Sequence, residues 1–257
     1  MKITFPHMGN VYLAVKALFD GLGIEYVIPP KNSKKTLEIG SLHSPEEICL
    51  PYKIMIGNYV QAAEMGADTV LLTGSCGPCR FGEYCEMQMN LLNKLGHDFK
   101  FIVIDAPGDI GVSELFNRIA EISTKSRMSK HKKLQCVKYA LDVINLTDKL
   151  DAKAHWLAGY ERKREECKKL LHASKRDAAR CSNPKEMIKL LKDYEKKFDN
   201  VELDLDKDPV KIAIIGEIYT VIEPFSNLYI EDKLMSYGVS TRRELTPSWW
   251  VKNMVMS

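Results

Sequence analysis

The sequence predicts an α/β fold, and three observations carry that expectation. Short β-prone runs alternate with helix-spaced apolar patterns through the first part of the chain, the pattern of βαβ units and a parallel sheet. From about residue 111 to 205 the periodicity is helical only. A β-prone run, "PVKIAIIGEIYT", then returns at 209–220 and one more helix follows. The expected organisation is a Rossmann- or flavodoxin-like α/β domain over 1–110, a helical segment over 111–205, and a partial second α/β domain over 206–257.

The elements follow in order. "KITF" (2–5) is a short β-prone run. "NVYLAVKALFDGLG" (10–23) has apolar residues at helical spacing and closes on glycine, a helix stop. "IEYVI" (24–28) reads as a second strand, ended by Pro29 and Pro30. "CLPYKIMIGNYVQAAEMG" (49–66) reads as a helix with Pro51 in its first turn and Gly66 at its end. "DTVLLTG" (68–74) is a strand, "YCEMQMNLLNKLG" (84–96) a helix and "DFKFIVID" (98–105) a strand. Helices are expected in "VSELFNRIAEIS" (112–123), in the long stretch from Lys133 to Ser174, and in "NPKEMIKLLKDYEKKFDN" (183–200). There Asn183 is a good N-cap followed by a proline at the first helical position.

The strand at 209–220 is a near-continuous apolar run, which reads as buried on both faces. "NLYIEDKLMSYGV" (227–239) reads as a helix ending at Gly238. One such unit is too little for a self-standing parallel sheet. Trp249 and Trp250 follow with no evident core to enter. The expectation is a chain that is part of a longer protein or an oligomer.

Of 257 residues, 45% are hydrophobic and 28% charged, ordinary for a globular protein. No run of 18 apolar residues occurs, so no membrane span is expected, and "MKITFPHMGN" does not read as a signal peptide. A cytoplasmic location follows as an expectation. Residues 125–199 hold 21 Lys and Arg against 11 Asp and Glu, an excess of ten positive charges, and the remainder is negative by seven. That basic segment, with Lys168, Lys169 and Lys175, could dock an acidic partner. Its interspersed signs, as in "YERKREECKKLL", read more simply as a solvated helix face than as a nucleic-acid surface.

Seven cysteines is an odd number and does not suggest a disulfide framework. The stretch "GSCGPCRFGEYC" (74–85) holds three of them. Cys76 and Cys79 lie just past the strand at 68–74, on the carboxyl edge where α/β sheets gather ligands. Gly74 and Gly77 let the backbone wrap an object, and Pro78 stiffens it. Cys49 stands at a helix start, where the dipole favours a thiolate. A Cys-x-x-Cys pair also fits a redox disulfide or a zinc half-site, whose fourth ligand would be Cys85, His43 or His97. Cys85 suits a core cysteine equally well. Cys136, Cys167 and Cys181 occur singly on helices and read as small core hydrophobes. Lys53 and Arg80 flank the cysteines, either to balance an anionic group or as ordinary surface charges.

Taken together, "EEICLPYKIMIGNYVQAAEMGAD", "GSCGPCRFGEY" and "GEIYTVIEPFSNLYIEDKLMSYGV" resemble the 2-hydroxyacyl-CoA dehydratase D-component superfamily, in its activase-related branch of CoA protein activase and double-cubane cluster proteins. The resemblance spans Met1 to Gly238. It implies an iron–sulfur protein, with a [4Fe-4S] cluster or half of a double cubane and zinc as the alternative; the alternative function is a non-catalytic interaction subunit stabilised by a cluster or by zinc. An ATP-hydrolysing activase would deliver low-potential electrons, and the reaction would be reductive or dehydratase chemistry on an acyl-CoA or another small reducible substrate. Cys49 matches the cysteine of the C-L-P motif and Cys79 that of G-P-C-R. Cys76 and Cys85 complete the implied metal set, and Gly216 and Glu217 match a strand-end motif lining the cofactor cleft. Members usually continue further with more cysteines, so a double cubane would need ligands beyond these. The chain has no G-x-x-x-x-G-K-[ST] phosphate loop, in keeping with ATP hydrolysis on a separate activase.

Overall fold

The computed structural model describes residues 1–73, 84–104, 122–123, 126 and 128–256. It is an α/β protein whose sheets are short and parallel. The chain forms two compact units, one of residues 1–7, 22–128 and 251–257, the other of residues 8–21 and 129–250.

In the first unit, β1 (Ile3–Thr4), β2 (Thr69–Thr73) and β3 (Lys100–Ile104) form a parallel sheet in that order, with Ile3 opposite Thr69 and Thr69 opposite Lys100. The expected strand at 24–28 is reduced to a single parallel bridge from Tyr26 to Ile3. Two hydrogen bonds hold it, Ile3 N to Glu25 O and Val27 N to Ile3 O. Pro29 and Pro30 follow at once and have no N–H to extend the ladder.

Helix α2 (Lys34–His43), which the apolar pattern does not announce, begins at a capping box: Ser33 Oγ accepts from Thr36 N, and Thr36 Oγ1 from Ser33 N. It packs on α3 (Leu50–Glu64) through paired glycines. A Cβ on Gly40 would lie 1.6 Å from Lys53 O, and one on Gly57 2.0 Å from Thr36 O. Helix α3 is apolar nearly all round, with Ile54, Met55, Ile56 and Tyr59 fully buried, as a central helix must be. It ends at Gly66, whose φ of +85° only glycine adopts without strain. Helix α4 (Tyr84–Lys94) follows β2.

In the second unit, α1 (Val11–Leu22) contributes all but its last residue. The expected long helix is two, α5 (Lys130–Leu157) and α6 (Glu166–Arg180), separated by a turn. There the buried Glu161 carboxylate accepts the N–H groups of Glu165 at 2.5 Å and Cys167 at 2.7 Å. Helix α7 (Pro184–Asp199) starts on the Asn183 cap, whose Oδ1 accepts from Glu186 N at 3.0 Å. Met187, Leu191, Tyr194 and Phe198 form its buried stripe, and α5, α6 and α7 pack mutually. β4 (Lys211–Ile214) and β5 (Ser240–Arg243) form a two-stranded parallel sheet, with α8 (Ile218–Ile222) and α9 (Ile230–Ser236) between them in sequence and α10 (Pro247–Met256) after.

β4 is not buried on both faces as its composition suggests. Its residues alternate between exposed and half-buried, and Ile215 is 89% exposed. A strand paired in a two-stranded sheet lacks the layers that cover a large one. Helix α9 starts three residues later than its apolar run, because Leu228 and Tyr229 take left-handed φ values of +57°. The helix expected at 112–123 lies outside the described residues except at its end.

The basic face is also reshaped. Lys175 turns inward, its Nζ 2.8 Å from Asp151, and Lys168 Nζ donates to Ser236 Oγ at 2.8 Å. Asp151 and Glu231 also hold Arg243, at 3.0 and 2.5 Å. Among the described residues no helix is long and apolar enough to cross a membrane.

Candidate metal centre

The site is built on the first unit. Its parallel strands point their carboxyl ends to one edge, and the chain leaves β1 there as Phe5-Pro6-His7. A closed ring of hydrogen bonds ties this exit to α3. Asn58 Oδ1 accepts His7 N–H at 3.0 Å, Asn58 Nδ2 donates to Asn32 Oδ1 at 2.8 Å, and Asn32 Nδ2 donates to His7 O at 3.5 Å. All three residues are buried, and these bonds satisfy the His7 backbone and the two side-chain amides internally.

His7 itself is 5% exposed. Burial first, and the Lys31 cation second, hold its imidazole pKa down at about 4 instead of 6.5. It is therefore neutral at pH 7. Below pH 6.5 the unfolded chain takes up a proton that the folded state refuses, so stability falls as pH drops toward 4. That gap of about 2.5 units corresponds to about 3 kcal/mol, fully present above pH 6.5. Urea melts of the wild type should lose this amount between pH 7 and 4, and His7→Asn should flatten the profile there. Equal slopes in both proteins would contradict the assignment.

Cys49 occupies the N-cap position of α3, with φ −59° and ψ 148°, and its side chain makes no capping bond. Pro51 stands in the first turn, where its missing N–H costs nothing. The thiol is free and half-buried at the positive end of the helix dipole. Helix α4 brings its own start to the same place. The Tyr84 ring meets Tyr52 edge to face at 5.2 Å, so the first turns of α3 and α4 adjoin. Cys85, next to Tyr84, is half-buried, with its sulfur 3.9 Å from Met89 Sδ.

Tyr59, fully buried on α3, has a hydroxyl with no hydrogen-bond partner among the described residues. Burial, together with the neighbouring Cys85 and Tyr52, pushes its pKa well above 10. It remains a protonated donor awaiting an acceptor.

Cys76, Cys79 and Arg80 lie outside the described residues, on the segment that joins β2 to α4. Of the remaining expected site residues, the structure brings Cys49 and Cys85 to adjoining helix starts. Lys53 donates to Glu46 O at 2.8 Å and so holds the turn before α3. Among the described residues no three His, Cys, Asp or Glu side chains come together as a metal site.

Gly216 and Glu217 belong to the second unit, at the carboxyl end of β4. Glu217 caps α8, its carboxylate accepting the N–H groups of Tyr219 and Thr220 at 2.9 Å and the Thr220 hydroxyl at 3.0 Å. His7, Asn58 and Tyr59 were not singled out from the sequence. For His7 the available signal was its place directly after the first strand.

The donor set suits a soft metal or cluster. Two cysteine sulfurs stand at adjoining helix N-termini, the Tyr52 and Tyr84 rings pack beside them, and the orphaned Tyr59 hydroxyl can donate to sulfur. Comparison with protein-family models and with curated proteins gives no match to this chain.

Proposed function

We propose that this chain is an iron–sulfur protein related to the 2-hydroxyacyl-CoA dehydratases, in which Cys49, Cys76 and Cys79, joined by Cys85, hold a [4Fe-4S] cluster or half of a double cubane. It takes part in ATP-driven low-potential electron transfer, or in reductive or dehydratase chemistry on an acyl-CoA or another small reducible substrate, with a separate activase. The observation that carries this reading is the placing of two half-buried cysteines at adjoining helix starts, Cys49 and Cys85, bracketing in sequence the Cys76/Cys79 pair. The bound group supplies a one-electron store at low potential.

The chain's own part is to hold it. The N-termini of α3 and α4 place the cysteine sulfurs, the buried Tyr52 and Tyr84 rings pack beside them, and Tyr59 offers a hydrogen bond to sulfur. Among the described residues no cysteine is in a disulfide, which fits a reducing, cytoplasmic location.

Cysteine variants test the reading. Cys49→Ala and Cys79→Ala should each lose most of the iron from anaerobically prepared protein. Cys167→Ala should keep it, because Cys167 is fully buried and its thiol is held protonated by burial and by Glu161. Full iron retention in the Cys49 variant would overturn the ligand set.

A further inference from the structure

Apart from the cysteines, the second unit holds a cavity of about 560 Å³ between the α5–α6 turn, the segment before β4 and the end of α9. That volume falls in the range of small-molecule sites. Three cations line it, Arg162, Arg164 and Lys207, all exposed. Among the described residues no carboxylate lies within 4.0 Å of either guanidinium. Arg164 makes one contact, Nη2 to Ser236 O at 3.1 Å, and Lys207 donates to Glu161 O at 2.6 Å, so both keep further donors.

Two carboxylates also line the cavity, fewer than the three cations, and each is engaged elsewhere. Glu161 is buried and engaged by two backbone N–H groups, and Asp208 pairs with Lys211 at 3.3 Å. The backbone beside the cations is held in place. Arg162 N donates to Glu202 O at 2.9 Å, Asp204 N to Tyr160 O at 2.8 Å, and Glu161 bridges to Leu203. Tyr237, 79% exposed, also lines the cavity and offers a free ring face beside the cations. The backbone is built for this closeness, since a Cβ at Gly159 would fall 2.2 Å from Ser240 Oγ.

We propose that this cavity binds a nucleoside diphosphate or a larger nucleotide, with the phosphates on Arg162, Arg164 and Lys207 and the base stacked on Tyr237. Forked guanidiniums without carboxylate partners match phosphate oxygens. A bare phosphate would leave most of the volume and the aromatic face unused, whereas a nucleotide occupies both.

Calorimetric titration of the full chain with ADP, pyrophosphate and adenosine tests it. ADP should bind saturably, one per chain, and more tightly than either fragment. Arg162→Gln with Arg164→Gln should weaken ADP by at least about tenfold, the effect of losing charge-assisted bonds. Tyr237→Ala should weaken ADP while leaving pyrophosphate unchanged. Each variant should keep the wild-type melt, since all three side chains are exposed. The proposal is overturned if ADP shows no saturable binding up to about 1 mM. Equal affinities for ADP and pyrophosphate, or double-variant affinity equal to wild type, would overturn it as well.

Discussion

Gly57→Ala should destabilise the protein by about 3 kcal/mol or more, although alanine is the better helix former by about 1 kcal/mol. The two effects have opposite signs, so the measurement isolates packing. A methyl at Gly57 would sit 2.0 Å from Thr36 O and 2.8 Å from its carbonyl carbon, and both are backbone atoms of a neighbouring helix that cannot rotate away. Gly40→Ala meets the same obstacle at Lys53 O. Relief requires α2 and α3 to separate, which would open the buried Thr36–Gln61 hydrogen bond of 2.9 Å. Gly96→Ala is the control. It has φ +81° and nothing within 4 Å, so it should cost only about 1 kcal/mol of backbone strain. A Gly57→Ala melt equal to wild type would show that the helices do not meet in this way.

Arg243→Met should cost about 3–5 kcal/mol. Arg243 is 8% exposed and joins two carboxylates that are themselves buried, Asp151 and Glu231. Asp151 keeps Lys175 at 2.8 Å and an Asn10 amide at 2.7 Å, whereas among the described residues Glu231 keeps only His155, at 3.6 Å. Burial holds the His155 pKa below its ordinary value, so it is a weak substitute at pH 7.

The pH dependence gives the sign of the effect. In the wild type, burial opposes the charge on Asp151, but Lys175, Arg243 and His155 outweigh it and hold its pKa at about 2 instead of 3.8. Its contribution is complete above pH 3.8 and is lost as pH falls toward 2. Without Arg243 the carboxylates take up protons more readily, so the variant's deficit should shrink as pH is lowered from 7 to 5. A deficit that is constant with pH would point to lost packing instead of lost charge. The His7 window, between pH 6.5 and 4, belongs to the other unit and should be unchanged in this variant.

Local signals made much of the fold legible. The βα alternation, the glycine stops at Gly66, Gly96 and Gly238, all at positive φ, and the Asn183-Pro184 start are properties of a few neighbouring residues, and the structure contains each. Helix α2 was hidden because its stability is not local. Its apolar pattern is weak, its cap pairs Ser33 with Thr36 in place of a glutamate, and its packing depends on Gly57, seventeen residues beyond Gly40. The break at Glu161 was hidden because a charged side chain, not glycine or proline, organises that turn.

At the candidate site, the sequence pointed to Cys49 as a helix start and left Cys85 open between ligand and core. Their closeness rests on Tyr52 meeting Tyr84, a tertiary contact that spacing does not reveal. Lys175 was misread as a surface charge because its partner, Asp151, lies on another helix.

The central claim is that these cysteines hold an iron–sulfur group. Iron, acid-labile sulfide and zinc should be measured together on protein purified without oxygen. The account predicts brown protein with iron and sulfide in equal amounts, broad visible charge-transfer absorption that bleaches on reduction, and no stoichiometric zinc. Colourless protein carrying one zinc per chain, or protein that takes up neither iron nor sulfide on anaerobic reconstitution, would contradict it.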